Sequence, residues 1–304
     1  MKNILIYPHD PYIDGSGGIT VHFYLAKILD EYGQMVRMYP NHGTADNDLF
    51  NKYYNNDFPI DNNCIVIYCE GIQGNPLGAP LVVRWLLSEL GKNVPYERFK
   101  TWGKNDIVYF FNGEKKISDN SEKVGSLYKF LSTIYLNPKI DIYNITFPRK
   151  GICYTERKCF WHKNGCKILH PPDADNISFG NQTHTIDTLN QYEIFISYDP
   201  CTFITVMAPL CGCISVVHPV DGVSESEWLK STAVYKYSIS KNINKLYGIA
   251  YGLENFEWAR NTLHLAKKQW EDIVLFNKNN CVLPFIIDIN NFESMENTVN
   301  NLGF

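Results

Sequence analysis

The stretch NILIYPHDPYIDGSGGITVHFYLAKILDEYGQMVRM, running from Asn3 to Met38, decides the fold class. Asn3 to Tyr7 is a short apolar strand. A glycine-rich loop follows, Gly15-Ser16-Gly17-Gly18, and Ile19 to Tyr32 then places Val21, Tyr24, Leu25, Ile28 and Leu29 on one helical face. Gly33 fits the C-cap, and Met35 to Met38 is extended again. Strand, glycine loop, helix, strand is the opening of a doubly wound, parallel α/β sheet.

The same order continues outward. Cys64 to Tyr68 reads as a strand and Glu70 to Leu77 as a loop. Pro80 to Leu90 reads as a helix closed by Gly91, and Ile107 to Phe111 as a strand. Asn112 to Glu122 is polar and loops out, Val124 to Ser132 is helical, and Thr133 to Leu136 is extended. A connector over residues 141–148 separates a second α/β unit. There Gly151 to Thr155 is a strand and Arg157 to Asn164 a short helix or loop. Lys167 to Leu169 is a strand, and His170-Pro171-Pro172-Asp173 a turn. Tyr192 to Ser197 is a strand, Pro200 to Cys211 a helix ended by Gly212, and Cys213 to Val217 a strand. Asn255 to Phe276 reads as one long amphipathic helix containing Trp258, Leu263 and Trp270, and Val282 to Ile287 is apolar again. Domains are expected at residues 1–146 and 147–285, followed by a tail at 286–304 whose path the sequence does not fix.

Composition narrows the function classes. The 304 residues are enough for two domains with their own cores, and 45% are hydrophobic. The net charge is -4 and Lys and Arg form no block, so nothing points to a nucleic-acid backbone. The 20 Tyr and 17 Phe suit both rigid cores and stacking on sugars and bases. The start turns polar too soon for a signal peptide. The longest apolar stretch, Ile204 to Val217, is broken by Pro209, Gly212 and Ser215, and falls short of the roughly 20 residues of a membrane span. Nine cysteines without a secretory signal read as reduced thiols, and a cytoplasmic location is expected.

Several constellations invite chemistry. The glycine loop allows close backbone approach to an anion at the helix start, or is simply a tight turn. It lacks the third glycine and the acidic residue of a dinucleotide fingerprint. Ser197-Tyr198-Asp199-Pro200-Cys201-Thr202-Phe203 sits at the carboxyl end of a strand, where open α/β sheets bind ligands. Asp199 there is a good N-cap with Pro200 at the first helical position, and its carboxylate can also accept sugar hydroxyls. Arg157 and Lys158 follow another strand and can clamp a diphosphate, although Arg149 and Lys150 form a similar pair. Cys159, His162, Cys166 and His170 are zinc-ligand types, but they are crowded and flanked by Lys163 and Lys167. They read as buried thiols with a polar histidine, and no metal is expected. No nucleophile elbow and no Walker loop is present.

The stretch from Asp199 to Val217 resembles the donor-site segment of retaining glycosyltransferases of the GT-B fold, most of all glycosyltransferase family 4 and its bacterial and viral relatives. Asp199 matches the family's first acid. Met207 stands where a second glutamate, which holds the ribose hydroxyls, is expected. Gly17-Gly18 to Ala26, Tyr32 to Val36, Glu70 to Leu77 with Val82 to Leu87, Tyr154 with Arg157-Lys158, and His170-Pro171 are also similar, across roughly 250 residues. The resemblance implies two Rossmann-like domains facing across a cleft, the first holding a glycan or other hydroxyl acceptor and the second a nucleotide-sugar, with no metal required. It implies transfer from a UDP- or GDP-sugar with retention. Arg157 and Lys158 then stabilise the leaving diphosphate, and Gly17 and Gly18 let the opposing loop approach. Tyr198, Asp199 and Thr202 contact sugar or phosphate beside Phe203, and His170 lies near base or phosphate. His9, Glu70 and Asn75 stand on the acceptor side, where His9 or Glu70 orients the attacking hydroxyl. Rival readings are an epimerase of the same fold, a non-catalytic scaffold that Met207 would suit, and a nicotinamide oxidoreductase.

Overall fold

The computed structural model describes residues 2–13, 16–39, 48–54, 59–91, 93–113, 129–134, 136, 140, 148–157, 162, 165–178 and 180–292. The chain divides into two compact units: Met1–Ile134 with Leu275–Phe304, and Tyr135–Val274. Both are α/β, and each is built on its own parallel sheet.

In the first unit the strands are β1 (Asn3–Tyr7), β2 (Met35–Met38), β3 (Cys64–Cys69), β4 (Leu81–Leu86), β5 (Ile107–Phe110) and β6 (Lys129–Phe130). They lie in the order β2-β1-β3-β4-β5-β6, and the ladders are parallel. Helix α1 (Gly17–Glu31) carries the crossover from β1 to β2 and buries Ile19, Phe23, Leu25, Ala26, Ile28 and Leu29, and the one-turn helix α2 (Asp48–Asn51) comes after β2. Gly33, at φ +73, follows its last turn. The central strand β3, Cys-Ile-Val-Ile-Tyr-Cys, is buried at every position, as expected of a parallel strand covered on both faces.

The expected helix over Pro80 to Leu90 is instead strand β4. Leu81-Val82-Val83-Arg84-Trp85-Leu86 carries apolar residues on both faces and buries its one charged residue, and such a run has no period that separates strand from helix. Its β-branched and aromatic residues fit a pleated surface between β3 and β5. The β3–β4 crossover therefore has no helix, and side chains brace it. Asn75 Oδ1 accepts from Tyr68 Oη (3.0 Å) and the Ala79 amide (3.1 Å), and Asn75 Nδ2 donates to Ala79 O (2.8 Å). Buried Arg84 donates to Gly74 O (2.6 Å) and to Asp106 Oδ2 (2.7 Å), which also accepts the Gly103 amide. β6 likewise replaces the end of the helix expected over Val124 to Ser132, whose earlier part lies outside the described residues.

The second unit holds β7 (Lys150–Thr155), β8 (Asp175–Asn176), β9 (Tyr192–Ser197), β10 (Ile214–Val217) and β11 (Ile249–Tyr251), in the order β11-β10-β9-β7-β8, with parallel ladders. Helices α3 (Gln182–Leu189) and α4 (Ile204–Leu210) pack with β9 around Phe195, Ile186, Leu189, Ala208 and Met207. The strand expected over Lys167 to Leu169 does not form; β8 takes the place beside β7. Two short helices follow β10, α5 (Glu225–Lys230) and α6 (Tyr235–Lys241). The expected single helix over Asn255 to Phe276 is broken into α7 (Phe256–Thr262), a 3-10 turn at Leu263–Leu265, and α8 (Ala266–Asn277).

The chain returns to the first unit at Leu275. A π-turn at Lys278–Val282 leads into α9 (Leu283–Asn290), and the two together take up the apolar run from Val282 to Ile287. Asp288 accepts from Tyr109 Oη (3.0 Å) and Lys129 Nζ (2.6 Å), and Asn290 Oδ1 accepts from the Lys2 amide (2.9 Å).

A buried ion pair that loses one partner leaves an uncompensated charge. Asp106→Ala is therefore expected to lower the unfolding free energy by about 3–5 kcal/mol in urea titrations. The paired replacement Arg84→Met with Asp106→Leu is expected to cost far less.

Candidate functional site

In the second unit β7 leads to β8 on one side, while β9 lies on the other. The connections that leave their carboxyl ends run to opposite sides of the sheet, and in open α/β sheets such a switch point is the ligand crevice. Arg157 stands two residues past β7; it is exposed and pairs with none of the described residues. Lys158 lies outside the described residues. The rival pair is at the opposite edge of the sheet. Arg149 donates to the carbonyls of Leu189, Tyr192 and Cys211, so its guanidinium ties helix ends and a strand start together.

Tyr198 is the first residue past β9 and is buried. Its hydroxyl receives the amides of Leu169 (2.7 Å) and His170 (3.3 Å), and it lies 2.7 Å from His170 Nδ1. Its carbonyl accepts His162 Nε2 at 3.0 Å. One residue thus ties His162, Leu169 and His170 to the end of β9. His170 also stacks on Tyr154 of β7, with ring centroids 3.7 Å apart. Burial raises the Tyr198 hydroxyl above the ordinary tyrosine range, so it stays protonated.

His218, the first residue past β10, completes a ring cluster. It packs edge-on against His162 at 4.6 Å and tilted against Tyr198 at 5.4 Å. Burial lowers its imidazole below the usual range and His162 adds to this, while the Pro219 and Lys167 carbonyls and Asp221 oppose it. The sequence reading passed over Tyr154 and His218 as site residues. The only signal for His218 was its place at a strand end before the turn Pro219-Val220-Asp221-Gly222. No group of three or more His, Cys, Asp or Glu among the described residues is arranged to hold a metal ion. Cys159 lies outside them.

Asp199 does not cap α4 as the sequence predicts. Its buried carboxylate accepts the Cys201 amide at 3.0 Å in a local turn, and the N-cap of α4 is Phe203. Thr202 Oγ1 accepts the Ile204 amide at 3.3 Å, and Phe203 packs against the core formed by α3, α4 and β9. The Pro200 carbonyl accepts Trp228 Nε1 at 2.7 Å, so Pro200 belongs to this turn and is not the first helical residue. Met207 is buried in the same core, where its sulfur meets Gln182 Nε2 at 3.8 Å.

The first unit has its own switch point, between β1 and β3. His9 and Glu70 follow those strands. His9 Nε2 lies 3.4 Å from Asp10 and His9 Nδ1 lies 3.5 Å from Cys69 Sγ. Burial pushes the Cys69 thiol up to about 12, with Glu70 adding to it, so the His9–Cys69 pair carries no activated thiolate at neutral pH. Glu70 is buried, and its two oxygens accept the amides of Leu87 (2.9 Å) and Ser88 (3.0 Å), clamping the exit of β4. Asn75 is occupied in the crossover loop. Gly17 and Gly18 open α1; a Cβ at either would meet nothing within 4 Å among the described residues beyond its own chain neighbours and helix backbone, so close packing does not demand glycine there. Gly15 lies outside the described residues.

No protein-family model and no curated protein matches the chain. Among solved structures it is similar to the sucrose-phosphate synthase of Thermosynechococcus elongatus, with a TM-score of 0.49 and 13% identity, over 90% of this chain and 97% of that one. It is also similar to the wall teichoic acid polymerase TagF, with a TM-score of 0.37 and 9% identity, over 95% and 89%. Likenesses this distant carry no argument about activity, which rests on this chain's own residues. No helix among the described residues is long and apolar enough to cross a membrane.

His22, on α1, donates Nδ1–H to Gly18 O at 2.8 Å, and its Nε2 has no partner among the described residues. Burial drives its imidazole down to about 4, the Gly18 carbonyl opposing and His9 adding to the fall. The folded protein holds the neutral ring, so the unfolded chain binds one more proton between pH 6.5 and 4. Stability is intact above about pH 6.5 and declines by about 3 kcal/mol as pH falls toward 4. Urea midpoints at pH 7.5 and 4.5 are expected to converge in His22→Phe relative to the wild type.

Proposed function

We propose that the chain is a glycosyltransferase of the GT-B type that transfers a sugar from a UDP- or GDP-sugar to a glycan or other hydroxyl acceptor, with retention. The observation that carries this reading is the β7/β9 switch point. A cation unpaired among the described residues, Arg157, and a ring cluster of Tyr154, His170, Tyr198 and His218 share the carboxyl edge of one parallel sheet. The likeness of Asp199 to Val217 to the family's donor segment supports it.

In this reading the bond from the anomeric carbon to the diphosphate oxygen breaks, and its electron pair leaves with the nucleoside diphosphate. Arg157 and Lys158 balance the charge that develops there. The acceptor hydroxyl bonds to the anomeric carbon from the same face and its proton passes to the departing phosphate. His9 orients that hydroxyl. Both carboxylate oxygens of Glu70 already accept backbone amides, which leaves His9 the better candidate of the two. Asp199 stabilises the turn that carries the sugar-facing segment. No metal is assigned to any of these steps.

A second reading is favoured by one residue. Met207 is a core side chain and offers nothing to ribose hydroxyls, which suits a relative that binds nucleotides without turnover.

Calorimetry against UDP, GDP, ADP and their sugars is expected to show binding by at least one, and silence across the panel would sink the donor assignment. Arg157→Ala is expected to weaken that binding about tenfold or more. Because Arg157 is exposed, its unfolding free energy should stay within about 0.5 kcal/mol of the parent. Release of nucleotide with formation of a glycoside separates transfer from binding alone, and an epimerised sugar nucleotide would overturn transfer.

A further inference from the structure

The Tyr198 hydroxyl has two lone pairs and one proton. Two backbone amides, Leu169 and His170, point at it. Both can only donate, so they fill the lone pairs and leave the hydroxyl proton for the third neighbour, His170 Nδ1 at 2.7 Å. An imidazole that accepts at Nδ1 carries its proton at Nε2 when neutral. The ring is clamped in the other dimension by the Tyr154 face. Nε2 has no partner among the described residues and is not among the buried unsatisfied atoms, although the residue itself is half-buried. What results is an N–H donor of fixed direction at the carboxyl ends of β7 and β9, the edge that also carries Arg157.

We propose that Tyr198 is a positioning residue that holds His170 as the Nε2–H tautomer, and that this N–H donates to a phosphoryl oxygen of a nucleoside diphosphate bound at the second unit's strand ends. The phosphoryl oxygen is favoured because it accepts from an N–H and also satisfies the charge of Arg157, a guanidinium unpaired among the described residues on the same edge. The ligand half rests on the glycosyltransferase reading; the tautomer half does not. His162 differs in kind. Its Nε2 is consumed by the Tyr198 carbonyl and its Nδ1 is buried, so it supports the loop and presents no donor outward.

The test uses the full chain labelled with nitrogen-15 and long-range proton–nitrogen spectra of its imidazoles, with His170→Gln assigning the His170 signals. The resting protein is expected to show His170 protonated at Nε2 and accepting at Nδ1, and Tyr198→Phe to show a mixture of both tautomers. UDP, GDP and ADP are then titrated. A ligand that binds is expected to shift the His170 Nε2 signal. His170→Ala is expected to bind it about tenfold more weakly, while His170→Gln, which keeps an N–H near the same position, is expected to stay within about threefold. Tyr198→Phe also removes the acceptor of two amides, so His170→Gln serves as the variant that leaves the loop anchor in place. A proton on Nδ1 in the resting wild type overturns the positioning role. Binding with an unmoved His170 signal overturns the phosphoryl contact and leaves the glycosyltransferase reading standing. Binding by none of the three overturns both.

Discussion

Parallel pairing is the constraint on which the rest of both units depends. Adjacent parallel strands cannot be joined by a tight turn, so every connection must cross a sheet face and cover it. That requirement buries β3 at all six positions and puts α1 over the first crossover. It also sorts the two edges of each sheet by use. In the second unit Arg149, at the amino edge, is spent on the carbonyls of Leu189, Tyr192 and Cys211. Arg157, at the carboxyl edge, is left exposed. Two arginines eight positions apart differ in role because the strand between them has a direction.

Much of the architecture was legible because alternation between strand and helix leaves a period in the sequence. α1 lies where Val21, Tyr24, Leu25, Ile28 and Leu29 put it, and the short apolar runs on either side of it are β1 and β2. β4 was misread because a strand buried on both faces has no polar side to betray its period. The missing strand over Lys167 to Leu169 failed for another reason. That segment is held from a distance by Tyr198, and local propensity says nothing about a partner some 30 residues away.

The switch-point cluster shows the same limit. Arg157, His170, Tyr198 and Asp199 read from the sequence as residues near strand ends, and all four lie around the ends of β7 and β9. The division of labour was not legible. Asp199 reads as a helix cap, yet its carboxylate closes a turn that precedes the helix. Glu70 and Asn75 stand at loop positions that read as ligand-facing, yet their polar atoms hold backbone. A carboxylate or amide in a loop looks the same in a sequence whether it meets a ligand or a neighbouring N–H.

The return of the chain to the first unit bears on the order in which the protein takes shape during synthesis. Tyr109 finds Asp288 across 179 residues and Lys2 finds Asn290 across 288. The second unit's sheet, by contrast, draws on a continuous stretch of chain. As the ribosome delivers the N-terminal strands first, they stand without α9 until the whole second unit has emerged. The unit made first is thus the last to be completed, and its β5 and β6 side chains at Tyr109 and Lys129 are the ones kept waiting.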